Sequence, residues 1–410
     1  MRRTAWILLL ILAFAIPWEY SLDLGEPLGN VARIAGLLVL IAAVPAILQA
    51  SRMRTFNAFC WMTLALYLWF CCTCFWSIDS VVTVEKLRAY FQEMMIVWLA
   101  WEFADTPADL RNLLRATVAG SCVLAVLTLL AFRSPEALVT GQIRFAAYGQ
   151  DPNDVARFLD LGFPLAALLA NCERRWPLRL MAIGFLPLGV AAVLLTASRS
   201  GFLAALVALA GSFLILAQGH GRRVAAAIFA LPPFLAALWF IVPGGTFERL
   251  ATIPEQLRGG DFNQRVNIWS AGWRAFEQAP LFGTGAGSFV MAAHLAPGDT
   301  AHNTVLSILI GGGLCALLLA SLLLALAIRA ALQTRGPLRL ALATCLIVWA
   351  TTSLIATTEE NRTTWLLFGL ILLAARLAAE DTRGLAACFR PAPSRRSAAS
   401  APSLAVQPSS

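Results

Sequence analysis

The sequence predicts an all-α polytopic membrane protein, with about twelve transmembrane helices and a mainly helical loop region on one side of the bilayer. Three observations carry this reading. Of 410 residues, 59% are hydrophobic and 13% are charged, whereas a soluble chain carries about 25% charged residues. Mean hydropathy is +0.73. Apolar runs of spanning length recur from one end to the other, and the loops between them alternate in charge. These features exclude a soluble enzyme, a disordered regulator and a secreted disulfide scaffold. Twelve spans of about 20 residues use about 240 residues. That leaves loops and one modest extramembrane region, but no large soluble domain.

In chain order the expected spans are 5–19, 30–49, 57–76, 86–102, 112–131, 155–171, 179–196, 201–217, 224–242, 302–328, 339–356 and 363–379. The first follows Arg2 and Arg3 but lacks a convincing small-residue cleavage site, so it reads as a retained span. One set of loops is basic: Arg2/Arg3, Arg52/Arg54, Arg111/Arg115, Arg174/Arg175/Arg179, Arg222/Arg223 and Arg329/Arg335/Arg339, together with the tail. The other set, 19–26, 77–85, 132–154, 196–200, 243–301 and 357–362, is acidic or mixed. Cytoplasmic loops are enriched in Lys and Arg, so the first set and both termini belong in the cytoplasm. The net charge of +8 follows from this bias and does not imply a nucleic-acid partner.

Four regions follow. Residues 1–242 hold nine spans, 243–301 form a large extracytoplasmic loop with an amphipathic helix, 302–380 hold three further spans, and 381–410 form a disordered cytoplasmic tail rich in Ala, Ser, Pro and Arg. No internal repeat suggests an inverted-repeat transporter. Cys71-Cys72-x-Cys74 lacks a second ligand pair for zinc. Most of the nine cysteines lie in apolar runs and read as small buried residues, so no metal site is expected.

The informative residues are arginines on the side that should be poor in them: Arg144, Arg199, Arg265 and Arg362. Arg199 lies in Thr196-Ala-Ser-Arg-Ser-Gly201, a short turn between two spans, where it needs an anionic partner or an interfacial exit. A snorkelling arginine at a helix end is the plainer alternative. Arg265 follows Asp261 and Gln264, a capping-box-like pair that would start a helix just before it. Val266, Trp269, Trp273 and Phe276 then recur at helical spacing. Two tryptophans on such a face suit a helix lying along the membrane interface. An arginine beside a helix N-terminus reinforces a phosphate-binding end, although a solvated surface charge would fit the same pattern.

His302 follows Pro297-Gly-Asp-Thr-Ala301. Asp299 or Thr300 could cap the next helix, placing His302 in its first turn. A positive helix end and nearby arginines both disfavour imidazolium, leaving the neutral imidazole that a general base requires. A lone histidine at a helix start is more often structural; two arginines on the same face shift the balance towards catalysis. Gly283-x-Gly285-x-Gly287 lacks the strand context of a nucleotide loop and reads as a tight chain reversal. Gly311-Gly312-Gly313 reads as a site of close helix packing. Glu359, Glu360, Asn361 and Arg362 form a polar loop that could orient His302 or pair internally. Gln150-Asp-Pro-Asn-Asp154 reads first as a turn and helix cap, and second as a sugar contact.

Thr196-Ala-Ser-Arg-Ser-Gly201, Arg265 with Trp269, Gly283-Thr-Gly-Ala-Gly-Ser-Phe289 and His302-Asn303, in that order, resemble the O-antigen ligase and polymerase superfamily over about 180–325. The ligase branch transfers O-antigen polysaccharide from undecaprenyl pyrophosphate to lipid A–core oligosaccharide at the periplasmic face of the bacterial inner membrane. The resemblance implies a GT-C-like scaffold, an inverting and metal-independent glycosyl transfer without cofactor, and essential roles for Arg199, Arg265 and His302. It also implies an acidic residue after the penultimate span, for which Glu359 and Glu360 both qualify.

On this reading Arg199 and Arg265 clamp the pyrophosphate, with Arg144 as a third contact, because guanidinium forks can replace a metal at phosphate oxygens. His302 takes the proton of an acceptor hydroxyl, and Glu359, Glu360, Asn303 and Arg362 orient it or bind acceptor. An O-antigen polymerase or a protein O-oligosaccharyltransferase would use the same residues. A flippase for lipid-linked sugars would instead place ionisable residues deep in several spans.

Overall fold

The computed structural model describes residues 1–25, 29–50, 53–134, 142–218, 221–261 and 264–390. Among them every regular element is helical. Helix α1 (Arg2–Ala15) runs into a 3-10 segment, Ile16–Ser21. There follow α2 (Val31–Ala50), α3 (Ala58–Cys72), α4 (Ser80–Phe103), α5 (Pro107–Phe132), α6 (Pro152–Cys172), α7 (Trp176–Leu195), α8 (Arg199–Ala217) and α9 (Gly221–Ile241). The large loop holds α10 (Gly244–Ala251), α11 (Ile253–Gly259), α12 (Arg265–Gln278) and α13 (Phe289–Ala292). The chain continues with α14 (Thr304–Gln333), α15 (Gly336–Ser353), α16 (Arg362–Glu380) and α17 (Thr382–Cys388).

Each expected span coincides with one of these helices. Nine are long and apolar enough to cross a membrane among the described residues, or ten if Pro232–Ile241 and Gly244–Gln256, bent by 107°, form one broken span. The chain is an integral membrane protein. Helix α4 does not meet that test because it carries Glu85, Lys86, Arg88, Glu93 and Glu102.

Local sequence sets the helix starts. Thr106 and Asp109 form a reciprocal capping box ahead of α5, with Pro107 in the first turn. Asn57, Asp79 and Asp151 cap α3, α4 and α6 through their side chains. In α6 every residue from Val155 to Cys172 is buried, and in α16 every residue from Thr363 to Ala378. A helix covered all round lies at the centre of a bundle. The surrounding helices turn Leu48, Leu235, Trp239, Leu318 and Ile347 outwards, an apolar exterior suited to lipid.

Ion pairs tie the helix ends at each face. On one face Arg2 meets Glu102 at 2.8 Å, Arg54 meets Asp105, and Arg115 meets Glu173. On the other, Lys86 meets Glu360 at 2.7 Å and Arg362 meets Glu19. The arginine-rich expected loops fall on the first face, and the large loop on the second.

Two expectations are corrected. The tail does not lose order at 381: Asp381 caps α17, which buries Leu385, with Phe389 buried beyond its end. Residues 391–410 lie outside the described residues. The triple glycine does more than allow close packing, because α14 is broken at Gly313 (φ +69°, ψ −167°). Residues 280–285 fill the break. Thr284 N–H donates to Ile310 at 2.7 Å, and Leu314 N–H to Pro280 at 2.9 Å. Backbone freed inside a membrane helix must find such partners. Helix α12 divides the apolar face expected for it between the protein and the surroundings. Gly272 and Ala275 are buried and Trp269 and Phe276 pack around Leu306, whereas Val266 and Trp273 are exposed.

Candidate active site

The turn between α7 and α8 anchors the site. Ser198 caps α8, its Oγ accepting Gly201 N–H at 3.2 Å, which sets Arg199 at the first helical position. Ser198 Oγ also donates to Asn153 Oδ1 at 2.8 Å, so the cap of α8 is tied to the first turn of α6. Arg144 joins the same oxygen through Nη2 at 2.9 Å, and its Nε donates to Thr196 O at 3.3 Å. Asp151 caps α6, as the Gln150–Asp154 turn predicts, and lies beside this group.

Sequence reasoning missed Arg249. Its Nε donates to Ala197 O at 3.1 Å, while Arg199 Nε donates to Arg249 O at 3.2 Å, so α10 and the α7–α8 turn clasp each other. The one available signal was its place in the acid-side loop, which also carries Arg258 and Arg274.

Arg265 opens α12 as expected, although the cap is Gln264 in the left-handed region (φ +64°) and not Asp261. His302 lies just ahead of α14 and not in its first turn. Asn303 is the cap, its Oδ1 accepting Leu306 N–H at 2.9 Å. His302 itself is left-handed (φ +44°), and Trp269 Nε1 holds the preceding Ala301 O at 3.1 Å. Among the described residues four non-glycine positions have positive φ: Ala197, Gln264, His294 and His302. All but His294 are, or adjoin within two residues, a site residue. Such strain collects where the surroundings hold a side chain in a set direction.

Charge links these groups in space. Burial lowers the pKa of Arg144, and Arg265 and Arg199 lower it further, against Asp151. Burial also lowers that of Arg249, helped by Arg144 and Arg199. Arg265 is lowered by burial and raised by Asp151. His302 is lowered first by burial and then by Arg265, with Asp151, Asp299 and Asp154 opposing. Four half-buried guanidinium groups gathered by three separate segments repel one another, and a bound anion would relieve that cost.

The remaining expected residues make other contacts. Asn303 Nδ2 donates to Leu354 O at 3.1 Å, a bond that ties α14 to the end of α15. Glu360 is paired with Lys86. Arg362 pairs with Glu19 and donates to Gln92 at 3.0 Å. Glu359 is buried and its carboxyl oxygens have no hydrogen-bond partner among the described residues. Burial and then Glu360 push its pKa up to about 8; the Ser307 and Thr304 hydroxyls nearby, outside hydrogen-bond geometry, oppose the rise. The charged groups acting on His302 are Arg265, Asp151, Asp299 and Asp154, and neither Glu359 nor Glu360 is among them. Nor are ionisable groups confined to one face, because Glu93 and Asp160 are buried within α4 and α6.

An apolar cavity of about 370 Å³ lies beside the arginines, lined by Val190, Leu194, Phe202, Leu206, Trp239 and Phe247 among others. Phe202 is one turn beyond Arg199. Among the described residues no three His, Cys, Asp or Glu side chains are arranged to hold a metal ion.

Fold and site together define a polytopic helical membrane protein with a cationic cluster and a neutral-leaning histidine at one membrane face. Residues 183–321 match the family model described as O-antigen ligase. This segment runs from α7 to the middle of α14 and contains Arg199, Arg249, Arg265 and His302. The resemblance carried by the motifs therefore holds over this part of the chain, that of an O-antigen ligase or polymerase type of membrane enzyme. No curated protein matches the chain.

Proposed function

We propose that the protein is an O-antigen ligase. It transfers O-antigen polysaccharide from undecaprenyl pyrophosphate to lipid A–core oligosaccharide at the periplasmic face of the inner membrane. The observation that carries this reading is the convergence of Arg144, Arg199, Arg249 and Arg265 beside a histidine held towards its neutral form. A diphosphate leaving group needs charge neutralised as it departs, and bidentate guanidinium contacts supply that. The apolar cavity walled by Phe202 and Phe247 suits the prenyl tail.

In the transfer step, His302 takes the proton of an acceptor hydroxyl as that oxygen bonds to the anomeric carbon. The bond from that carbon to the pyrophosphate oxygen breaks, and its electron pair leaves on undecaprenyl pyrophosphate. Attack opposite the leaving group inverts the centre. No step calls for a metal, because the arginines provide the electrostatic stabilisation.

Purified protein with lipid-linked glycan and lipid A–core tests this. His302→Ala should lower the transfer rate by about 10²–10⁴-fold, the usual share of a general base, while still binding undecaprenyl pyrophosphate. Wild-type transfer by His302→Ala would remove the assignment. Movement of the lipid-linked glycan across vesicles without transfer would establish the flippase instead.

A further inference from the structure

A second cavity, of about 350 Å³, opens on the same face between the start of α4 and the segment 287–301. Its wall differs from the arginine cluster in sign. Lys86 is its single cation, against the carboxyl groups of Glu85, Asp299 and Glu360. The Lys86–Glu360 pair at 2.7 Å crosses from α4 to the 354–361 loop. Phe289 and Val290 give one apolar side, and Ser307, Thr300 and Thr357 add hydroxyls. The Thr357 Oγ1 is buried yet has no hydrogen-bond partner among the described residues. A polar atom left in that condition is destabilising unless a ligand or water meets it.

The wall's composition selects a ligand class. A net acidic surface repels phosphate. Carboxylates accept hydrogen bonds from hydroxyl groups, lysine and threonine donate them, and an aromatic face covers C–H surface. That set fits an uncharged sugar. The cavity also adjoins the segment that carries the proposed base. Thr300 and Ala301 line it and lead directly into His302. Arg265 lowers the His302 pKa, and the cavity's Asp299, with Asp151 and Asp154, opposes it.

We propose that this cavity, walled by Lys86, Asp299, Thr357 and Glu360, binds an uncharged sugar of the acceptor and presents its hydroxyl towards His302. The assignment rests on the ligase reading and adds a division to it. The cationic cluster takes the donor's diphosphate, the acidic cavity takes the acceptor's sugar, and the 299–302 segment separates them.

The test uses the full-length protein in nanodiscs and two probes. One is core oligosaccharide stripped of lipid and phosphate, and the other is undecaprenyl pyrophosphate. Thr357→Val removes a hydroxyl with no hydrogen-bond partner among the described residues, so its folding should be intact. Glu360→Gln removes one carboxylate charge. Each should weaken oligosaccharide binding, about 5-fold for Thr357→Val and at least about 10-fold for Glu360→Gln, a range spanning one lost hydrogen bond to one lost charged contact. The acceptor KM should rise in step, with the donor KM and undecaprenyl pyrophosphate binding unchanged. Unchanged oligosaccharide binding in both variants would overturn the proposal, as would a donor KM that moved with the acceptor KM. If wild-type protein bound the oligosaccharide through Glu360 and Thr357 yet catalysed no transfer, the cavity would stand and the ligase reading would fall.

Discussion

The left-handed backbone of His302 is the residue-scale feature with the clearest chemical consequence. At φ +44° and outside the helix, its backbone is fixed on either side by the Trp269–Ala301 bond and the Asn303 cap. Burial and Arg265 both act against its protonation, so its pKa lies below the usual 6.5. A general base works only when unprotonated. The transfer rate should therefore stay level through neutral pH and fall only as pH drops below 6.5, through the lowered value. Removing the Arg265 charge must move that value upwards. NMR titration of His302 in Arg265→Gln should show a higher pKa than in the wild type, and a wild-type His302 titrating above 6.5 would contradict the mechanism.

At the scale of elements, the broken helix α14 organises the loop that leads to the site. Gly313 can adopt φ +69° without the strain a side chain brings, and a Cβ there would meet the Leu281 backbone. Gly285, at φ +115°, likewise leaves no room for a Cβ against Ser77. Gly313→Ala should destabilise the protein by about 2 kcal/mol or more, combining left-handed strain with overpacking. Gly36→Ala in α2 meets nothing within 4 Å, and should be neutral or slightly stabilising. Thermal unfolding in one detergent checks both. This element also marks the limit of sequence reading. The spans were legible because an apolar run of bilayer length has few other uses. A run of three glycines serves close packing and helix breakage equally well, and the backbone that fills the break lies about 30 residues earlier. Arg249 was illegible for a related reason. Its bond to Ala197 exists only because α10 folds back on the α7–α8 turn, whereas Arg199 and Arg265 stood out against the local charge pattern and motif context, and His302 by its place at a helix start.

Across the whole molecule, two faces of unlike character are held apart by the buried helices α6 and α16. One face is knitted by Arg2, Arg54 and Arg115 with their carboxylates; the other gathers Arg144, Arg199, Arg249 and Arg265 with few acidic partners. If the first face is cytoplasmic, the second meets lipid-linked sugar outside the cytoplasm, and the chemistry proposed for it has access to both substrates. Side-specific labelling decides this. His294, in the large loop, and Arg335, between α14 and α15, are both exposed. In a variant whose own cysteines are replaced by alanine, His294→Cys should react in intact cells with a maleimide that crosses only the outer membrane, and Arg335→Cys should react only after the inner membrane is opened. The reverse pattern would put the arginine cluster in the cytoplasm. That is the opposite of the periplasmic face on which the ligase reading places the transfer, and both that reading and the acceptor cavity would fail together.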